Sequence, residues 1–105
     1  MNLETFKSAV TAAFPIGETE AAVTTTDWAS SYTAVNRSVL GTLRVQCLDW
    51  DGQDWRVCKL FDSGKVDMEG RGETLELALE DFSYRSKKRD RQWAEMQGYT
   101  GDFYF

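Results

Sequence analysis

The chain has 105 residues, of which 42% are hydrophobic and 13% aromatic, and its formal net charge is −5. This length allows a single domain, residues 1–105, with one hydrophobic core, and the composition is too apolar for an intrinsically disordered protein. The sequence contains no histidine, which excludes the commonest general base, the usual serine and cysteine triads and most zinc sites.

The N-terminal stretch LETFKSAVTAAF predicts a short amphipathic helix over residues 3–14. Pro15 follows it as a stop signal. The apolar residues of this stretch recur at helical spacing, namely Leu3, Phe6, Val10 and Ala13. The first residues lack the basic start and the apolar run of a secretory signal, and no apolar run approaches the roughly 20 residues that span a bilayer. We therefore expect a protein of the cytoplasm (the host cytoplasm if a phage encodes it) that makes no membrane contact.

Residues 16–38 allow two interpretations. The threonines of AAVTTTDWASSYTAV favour a strand. Alternatively, Thr26 or Asp27 could cap a short helix that carries Trp28, Tyr32 and Val35 on one side. The sequence alone leaves both open.

Residues 42–69 predict three strands, with the sequences TLRVQCLDW, DWRVCKLFD and KVDME, joined by tight turns. With a helix before them and a second helix after them, they predict an α+β fold. In this fold, a three-stranded antiparallel sheet over residues 42–69 packs with an N-terminal helix over residues 3–14 and a long C-terminal helix over residues 74–96.

The strand register follows from the choice of turn. A two-residue turn at Asp51–Gly52 would set Arg44 opposite Lys59, and like charges directly opposite are unfavourable. A four-residue loop over residues 51–54 is therefore preferred, and it places Trp50 opposite Trp55 and Cys47 opposite Cys58. The second turn suits a three-residue loop with Gly64 in the left-handed region. That loop sets Val66 opposite Leu60 and Met68 opposite Cys58.

This register assigns the residues of the sheet to two faces, because side chains alternate along a strand. One face is apolar and is expected to be the core, with Val45, Cys47, Cys58, Leu60, Val66 and Met68. The other face mixes charged residues with Leu48, Trp50, Trp55, Val57 and Phe61. On this assignment, Trp50 and Trp55 should matter more for binding a partner than for folding.

The C-terminal helix is predicted to begin after Thr74, a good capping residue, with acidic residues near its start. Residues 85–91 then carry five basic side chains and one acidic one, whereas the rest of the chain carries seven basic and sixteen acidic ones. One interpretation is helix stabilisation, since Asp81 precedes Arg85 by four residues, the spacing of an ion pair. The other is a cationic ridge formed by Arg85, Lys87, Lys88 and Arg91, which would contact phosphate or an acidic protein.

The predicted order of helix, three strands and helix resembles that of the double-stranded-RNA-binding domain, and that resemblance implies RNA binding. In that family the second helix opens with lysines that contact phosphates, whereas this one opens with Glu73, Glu76 and Glu80. The stretch GETLELALEDF is also similar to the strand-to-helix junction of HicB-type antitoxins, over about ten residues of helix start.

The remaining polar residues do not form a recognisable catalytic or ligand-binding motif. Cys47 and Cys58 are interpreted as small buried hydrophobic residues that remain reduced thiols. Asp49, Asp51 and Asp54 have oxygen ligands suitable for a divalent cation, but they lack the spacing of an EF-hand and are interpreted as turn residues. The glycines of EGRGET lack the lysine of a phosphate-binding loop. We therefore expect a protein without a catalytic residue, cofactor or metal, and we expect that it is not an enzyme.

We expect a small acidic protein that acts through protein–protein binding. Because aromatic residues and arginine dominate interface energetics, the candidate partner-binding residues are Trp50, Trp55, Phe61, Arg85, Lys88 and Arg91. A narrower hypothesis is a phage or mobile-element inhibitor of host defence, similar to the anti-CRISPR proteins. The alternative is a nucleic-acid-binding module that uses the basic residues of the C-terminal helix and stacking by Trp50 and Trp55.

Overall fold

The structure of the chain is a computed structural model that describes residues 1–49 and 52–96, with side chains described as far as residue 92. Within those residues, five antiparallel strands form one sheet in the order β1-β2-β3-β4-β5, so each strand pairs with its neighbours in the sequence. One helix precedes the sheet and another follows it, and residues of both belong to the same core cluster. The elements are α1 (Leu3–Ala13), β1 (Glu18–Thr25), β2 (Ser30–Ser38), β3 (Gly41–Asp49), β4 (Gln53–Leu60), β5 (Val66–Gly72) and α2 (Leu75–Met96).

The predicted three-stranded sheet is wrong, because residues 16–38 supply two more strands, β1 and β2. Thr26 caps no helix there. Its backbone N–H and its hydroxyl both donate to the carbonyl oxygen of Ala29, at 2.8 and 3.0 Å, and so close the turn between the two strands. Along β2 the side chains of Tyr32, Ala34 and Asn36 are buried in alternation, which is the period of a strand. The predicted α+β class is correct, but the sheet has five strands instead of three.

Both predicted helices are present. The side chain of Asn2 accepts the N–H of Thr5 at 2.8 Å and caps α1, whose Phe6 and Val10 are fully buried one turn apart. Thr74 accepts the N–H of Leu77 at 3.1 Å, as expected of a cap at the start of α2.

The predicted register between β3 and β4 is wrong. The structure pairs Cys47 with Trp55, Val45 with Val57 and Arg44 with Cys58. Relative to the predicted pairing, this turns β4 over, since a strand shifted by an odd number of residues exchanges its two faces. Trp55 and Val57 therefore lie on the same face as Val45 and Cys47.

The two cysteines are not neighbours, contrary to the prediction. Cys47 is on the face that the helices cover, whereas Cys58 pairs with Arg44 and points to the opposite face. Both are buried and free. Burial, with a smaller contribution from Asp49, raises the pKa of Cys47 to about 11. Burial, followed by the charge of Glu69, also raises the pKa of Cys58. Neither environment favours a thiolate at neutral pH.

The turn between β4 and β5 has the predicted form. The N–H of Phe61 donates to the carbonyl oxygen of Lys65 at 2.9 Å, and Gly64 has a φ of +88°. Leu60 pairs with Val66 as predicted, but an irregularity follows, so that Met68 pairs with Lys59 instead of Cys58.

The core lies between the helices and one face of the sheet. Phe6 of α1 contacts the rings of Tyr32 and Trp55, at centroid distances of 5.3 and 5.6 Å. Leu75 and Ala78 of α2 complete the same cluster. No described element covers the opposite face, where Asp54, Arg56, Glu69 and Arg71 form ion pairs of 3.2–3.8 Å.

Two glycines let α2 approach the edge strand β5 closely. A Cβ atom on Gly70 would lie 2.4 Å from the backbone nitrogen of Phe82, and one on Gly72 would lie 2.6 Å from that of Ala78. Since real Cβ atoms essentially never come so close to backbone, both positions require glycine at this helix–strand distance. The contact covers the β5 side of the sheet with α2.

Candidate protein-binding groove

A groove of about 300 Å³ opens at one end of the sheet, on the face that carries the helices. One wall is the end of α1 and its connection to β1, with Phe14, Pro15 and Ile16, and the other wall is α2, with Phe82 and Ser86. Leu43, Lys59 and Met68 form its floor and Leu40 lines its rim. We call this the turn-end groove, because the β2–β3 and β4–β5 turns lie at this end of the sheet.

The α1 wall is held in place by its own sequence. Gly17 has a φ of +94°, and a Cβ atom there would lie 2.4 Å from the carbonyl oxygen of Arg37. The buried amide of Asn36 donates to the carbonyl oxygen of Ile16 at 3.2 Å and to the hydroxyl of Thr19 at 3.0 Å. Pro15 removes one backbone donor and restricts the same connection. The wall is therefore preformed and can bind with little cost in conformational entropy.

Lys59 is the basic side chain of the groove floor. It is half-buried on the helix-bearing face, between Leu43 on β3 and Met68 on β5. Among the described residues it makes no ion pair and no side-chain hydrogen bond. An ammonium group among apolar neighbours extends towards water or towards an anionic partner. A ligand of this groove would therefore combine an apolar group with a carboxylate.

Exposed apolar side chains are concentrated at this end of the molecule, and two of them, Ile16 and Leu40, line the groove. Val39 and Leu40, in the β2–β3 turn, are 97% and 79% exposed, and Ile16 is 63% exposed. Phe61, in the β4–β5 turn, and Val66, the first residue of β5, are at the same end of the sheet, because Thr42 pairs with Leu60. Large apolar residues grouped at the rim of a concave site are typical of interaction surfaces.

The predicted partner-binding residues are dispersed in the structure. Trp50 lies outside the described residues. Trp55 is in the core, 4% exposed, so the reason for assigning it to binding no longer holds. Phe61 is exposed at the same end of the sheet as the turn-end groove, whereas Arg85, Lys88 and Arg91 are exposed along α2.

The basic run of α2 divides into two groups. Arg85 pairs with Asp81 at 3.0 Å, which is the ion pair that the spacing predicted, and Arg89 pairs with Asp67 at 2.7 Å. Lys87, Lys88 and Arg91 are exposed. Two of the five cations therefore form ion pairs, one within α2 and one with β5, whereas the other three make no ion pair among the described residues.

Asp81 couples the start of α2 to β5, and its effect should depend on pH. Its carboxylate accepts the backbone N–H of Arg71 at 2.9 Å, which lowers its pKa below the ordinary 3.8, with Arg85 adding to the effect. A lowered folded-state pKa stabilises the protein above the ordinary pKa, and this stabilisation is lost as the pH falls through the folded-state value.

We therefore expect Asp81→Asn to lose less stability than the wild type between about pH 5 and about pH 2, as measured by urea unfolding. The matched control is Asp62→Asn, which removes an exposed carboxylate from the β4–β5 turn. If Asp81→Asn loses as much stability on acidification as this control, the linkage through Asp81 is wrong.

The described residues contain no group of three or more His, Cys, Asp or Glu side chains placed to hold a metal ion. Neither helix, over the same residues, is long and apolar enough to cross a membrane. No protein-family model matches this chain, and neither a curated protein nor a solved structure does. The turn-end groove must therefore be judged on its own geometry.

Of the predicted partner-binding residues that the structure describes, only Phe61 lies in a turn at this end of the sheet. The missed signal is Val39–Leu40, two large apolar residues between Ser38 and Gly41, where a tight turn normally carries polar residues or glycine. Apolar residues in such a turn cannot be buried by the sheet they join, and both are largely exposed in the part of the chain that the structure describes.

Proposed function

We propose that this protein acts by binding another protein, and that the turn-end groove is the contact site. The observation that carries the proposal is the preformed apolar groove, lined by Ile16 and Leu40, with Lys59 in its floor and Phe61 exposed at the same end of the sheet. The partner segment that fits it has a large apolar side chain for the groove and a nearby carboxylate for the Lys59 ammonium group.

The narrower hypothesis of an inhibitor of host defence is compatible with this proposal. It needs a partner protein that exposes an acidic and apolar segment, and the groove supplies a complementary surface. The nucleic-acid alternative stays a prediction. With Arg85 and Arg89 in ion pairs and Trp55 in the core, it would depend on Lys87, Lys88 and Arg91.

The proposal is tested by selecting ligands from a random peptide library displayed on phage. We expect the enriched peptides to carry an aromatic or large aliphatic residue close to Asp or Glu. Leu40→Asp should weaken a selected peptide roughly tenfold or more, measured by fluorescence polarisation, because it places a carboxylate at the apolar rim. Lys59→Met should weaken binding and reduce its dependence on salt, since it removes the charge.

Val39→Asp is the matched control. It introduces the same charge in the same turn, but Val39 does not line the groove. Peptides without an acidic and apolar pattern, or peptides that bind Leu40→Asp as well as Val39→Asp, would contradict the groove assignment.

A further inference from the structure

The two edges of the sheet differ in how they are protected. At the β5 edge, α2 packs closely over Gly70 and Gly72, and the pairing with β4 is interrupted by an irregularity. At the other edge, β1 pairs with β2 on one side, and no described element pairs with its outer side. The outward backbone groups of β1 are therefore available for hydrogen bonding to another strand.

The edge strand β1 also lacks most of the features that prevent strands from associating. It is eight residues long, and its pairing with β2 is continuous from Glu18 opposite Arg37 to Thr25 opposite Ser30. Its sequence, ETEAAVTT, contains no proline, glycine or lysine and ends in residues that favour strands. Its charged residues are Glu18 and Glu20, both in the first half.

We propose that β1 pairs antiparallel with β1 of a second copy of this chain, which joins the two sheets into one. The sequence of β1 is complementary to itself when two copies run antiparallel. With the two-fold axis at Ala22, Ala21 faces Val23, Thr19 faces Thr25 and Glu20 faces Thr24.

No charge faces a like charge in this arrangement, and each pair lies on a single face of the joined sheet. Ala21 and Val23 are on the helix-bearing side in both copies, since β1 pairs Val23 with the buried Tyr32. Threonine pairs and aliphatic pairs of this kind stabilise neighbouring strands. An axis at Thr19 would instead place Glu18 opposite Glu20, so the charges exclude that register and permit the one centred on Ala22, which pairs threonine with threonine and alanine with valine.

The proposal is tested by sedimentation velocity over a range of concentrations. The wild type should shift from monomer to dimer. Ala22→Lys should weaken the dimer at least tenfold, because it places two lysines opposite each other across the axis. Ala22 is exposed, so the unfolding midpoint of this variant should match the wild type. Ser83→Lys, at an exposed position on α2, is the control for the added charge.

A mixture of Ala22→Lys and Ala22→Glu separates this register from other associations. Each variant alone should be largely monomeric, whereas the mixture should dimerise, since opposite charges then face each other. A wild type that is monomeric at all concentrations would overturn the proposal, and so would a dimer that Ala22→Lys leaves intact. Leu40→Asp should leave the dimer unchanged, so failure here and failure of the groove assignment are distinguishable.

Discussion

Replacing Trp55 by alanine is expected to lower the free energy of unfolding by about 3–5 kcal/mol. The ring is 4% exposed and stacks on Phe6 of α1 at a centroid distance of 5.6 Å. Its indole Nε1 donates to the side-chain oxygen of Gln53 at 3.0 Å. The substitution therefore removes apolar contacts between the sheet and α1 and leaves a cavity that the neighbouring residues fill only in part. Since small domains are stable by about 5–15 kcal/mol, the loss is a large fraction of the total.

Urea unfolding followed by fluorescence measures this loss, and Phe61→Ala is the matched control. Phe61 is also an aromatic residue of the β4–β5 hairpin, but it is 53% exposed, so its truncation should change stability by less than about 1 kcal/mol. The sequence-based register instead places Trp55 with Phe61 on the mixed face and predicts that Trp55 is dispensable for folding. If Trp55→Ala is as stable as the wild type, the result contradicts the observed register and supports the sequence-based one.

The predicted pairing of β3 with β4 is wrong because it rests on a weak interaction, the repulsion between two like charges. Cross-strand charge repulsion between Arg44 and Lys59 is worth about 0.2–1 kcal/mol. Burying Trp55 is worth several times more, and it selects the pairing of Cys47 with Trp55. That pairing also separates Arg44 from Lys59, which now pair with Cys58 and Leu43. The observed register is neither of the two that the alternative turn lengths predict.

Local signals predicted the helices and the β4–β5 turn well. The stop at Pro15, the cap at Thr74 and the left-handed Gly64 each act within a few residues, so the sequence contains the whole cause. The strands β1 and β2 were harder, because Trp28, Tyr32 and Val35 match a helical period over a short window, and only the sheet decides between the two. The groove could not be predicted as a site, since its walls are joined only by the tertiary fold.

Gly70→Ala is the second substitution with a large expected effect. An alanine in a strand normally stabilises a protein by about 0.4–1 kcal/mol over glycine, because it restricts the unfolded chain. Here the added Cβ atom would lie 2.4 Å from the backbone nitrogen of Phe82 and 2.6 Å from the carbonyl oxygen of Ala78. Neither atom can rotate away, so α2 must move off β5. We expect a net loss of about 1–3 kcal/mol, measured by urea unfolding.

Gly52→Ala is the control for this substitution, because no heavy atom lies within 4 Å of a Cβ atom at that position. It should stay within about 0.5 kcal/mol of the wild type. Gly70→Ala should also affect the turn-end groove, since Phe82 and Ser86 form its α2 wall. A protein that tolerates Gly70→Ala as well as Gly52→Ala would show that α2 does not lie this close to β5. If Gly70→Ala is destabilised but binds selected peptides like the wild type, the α2 wall is not part of the contact site.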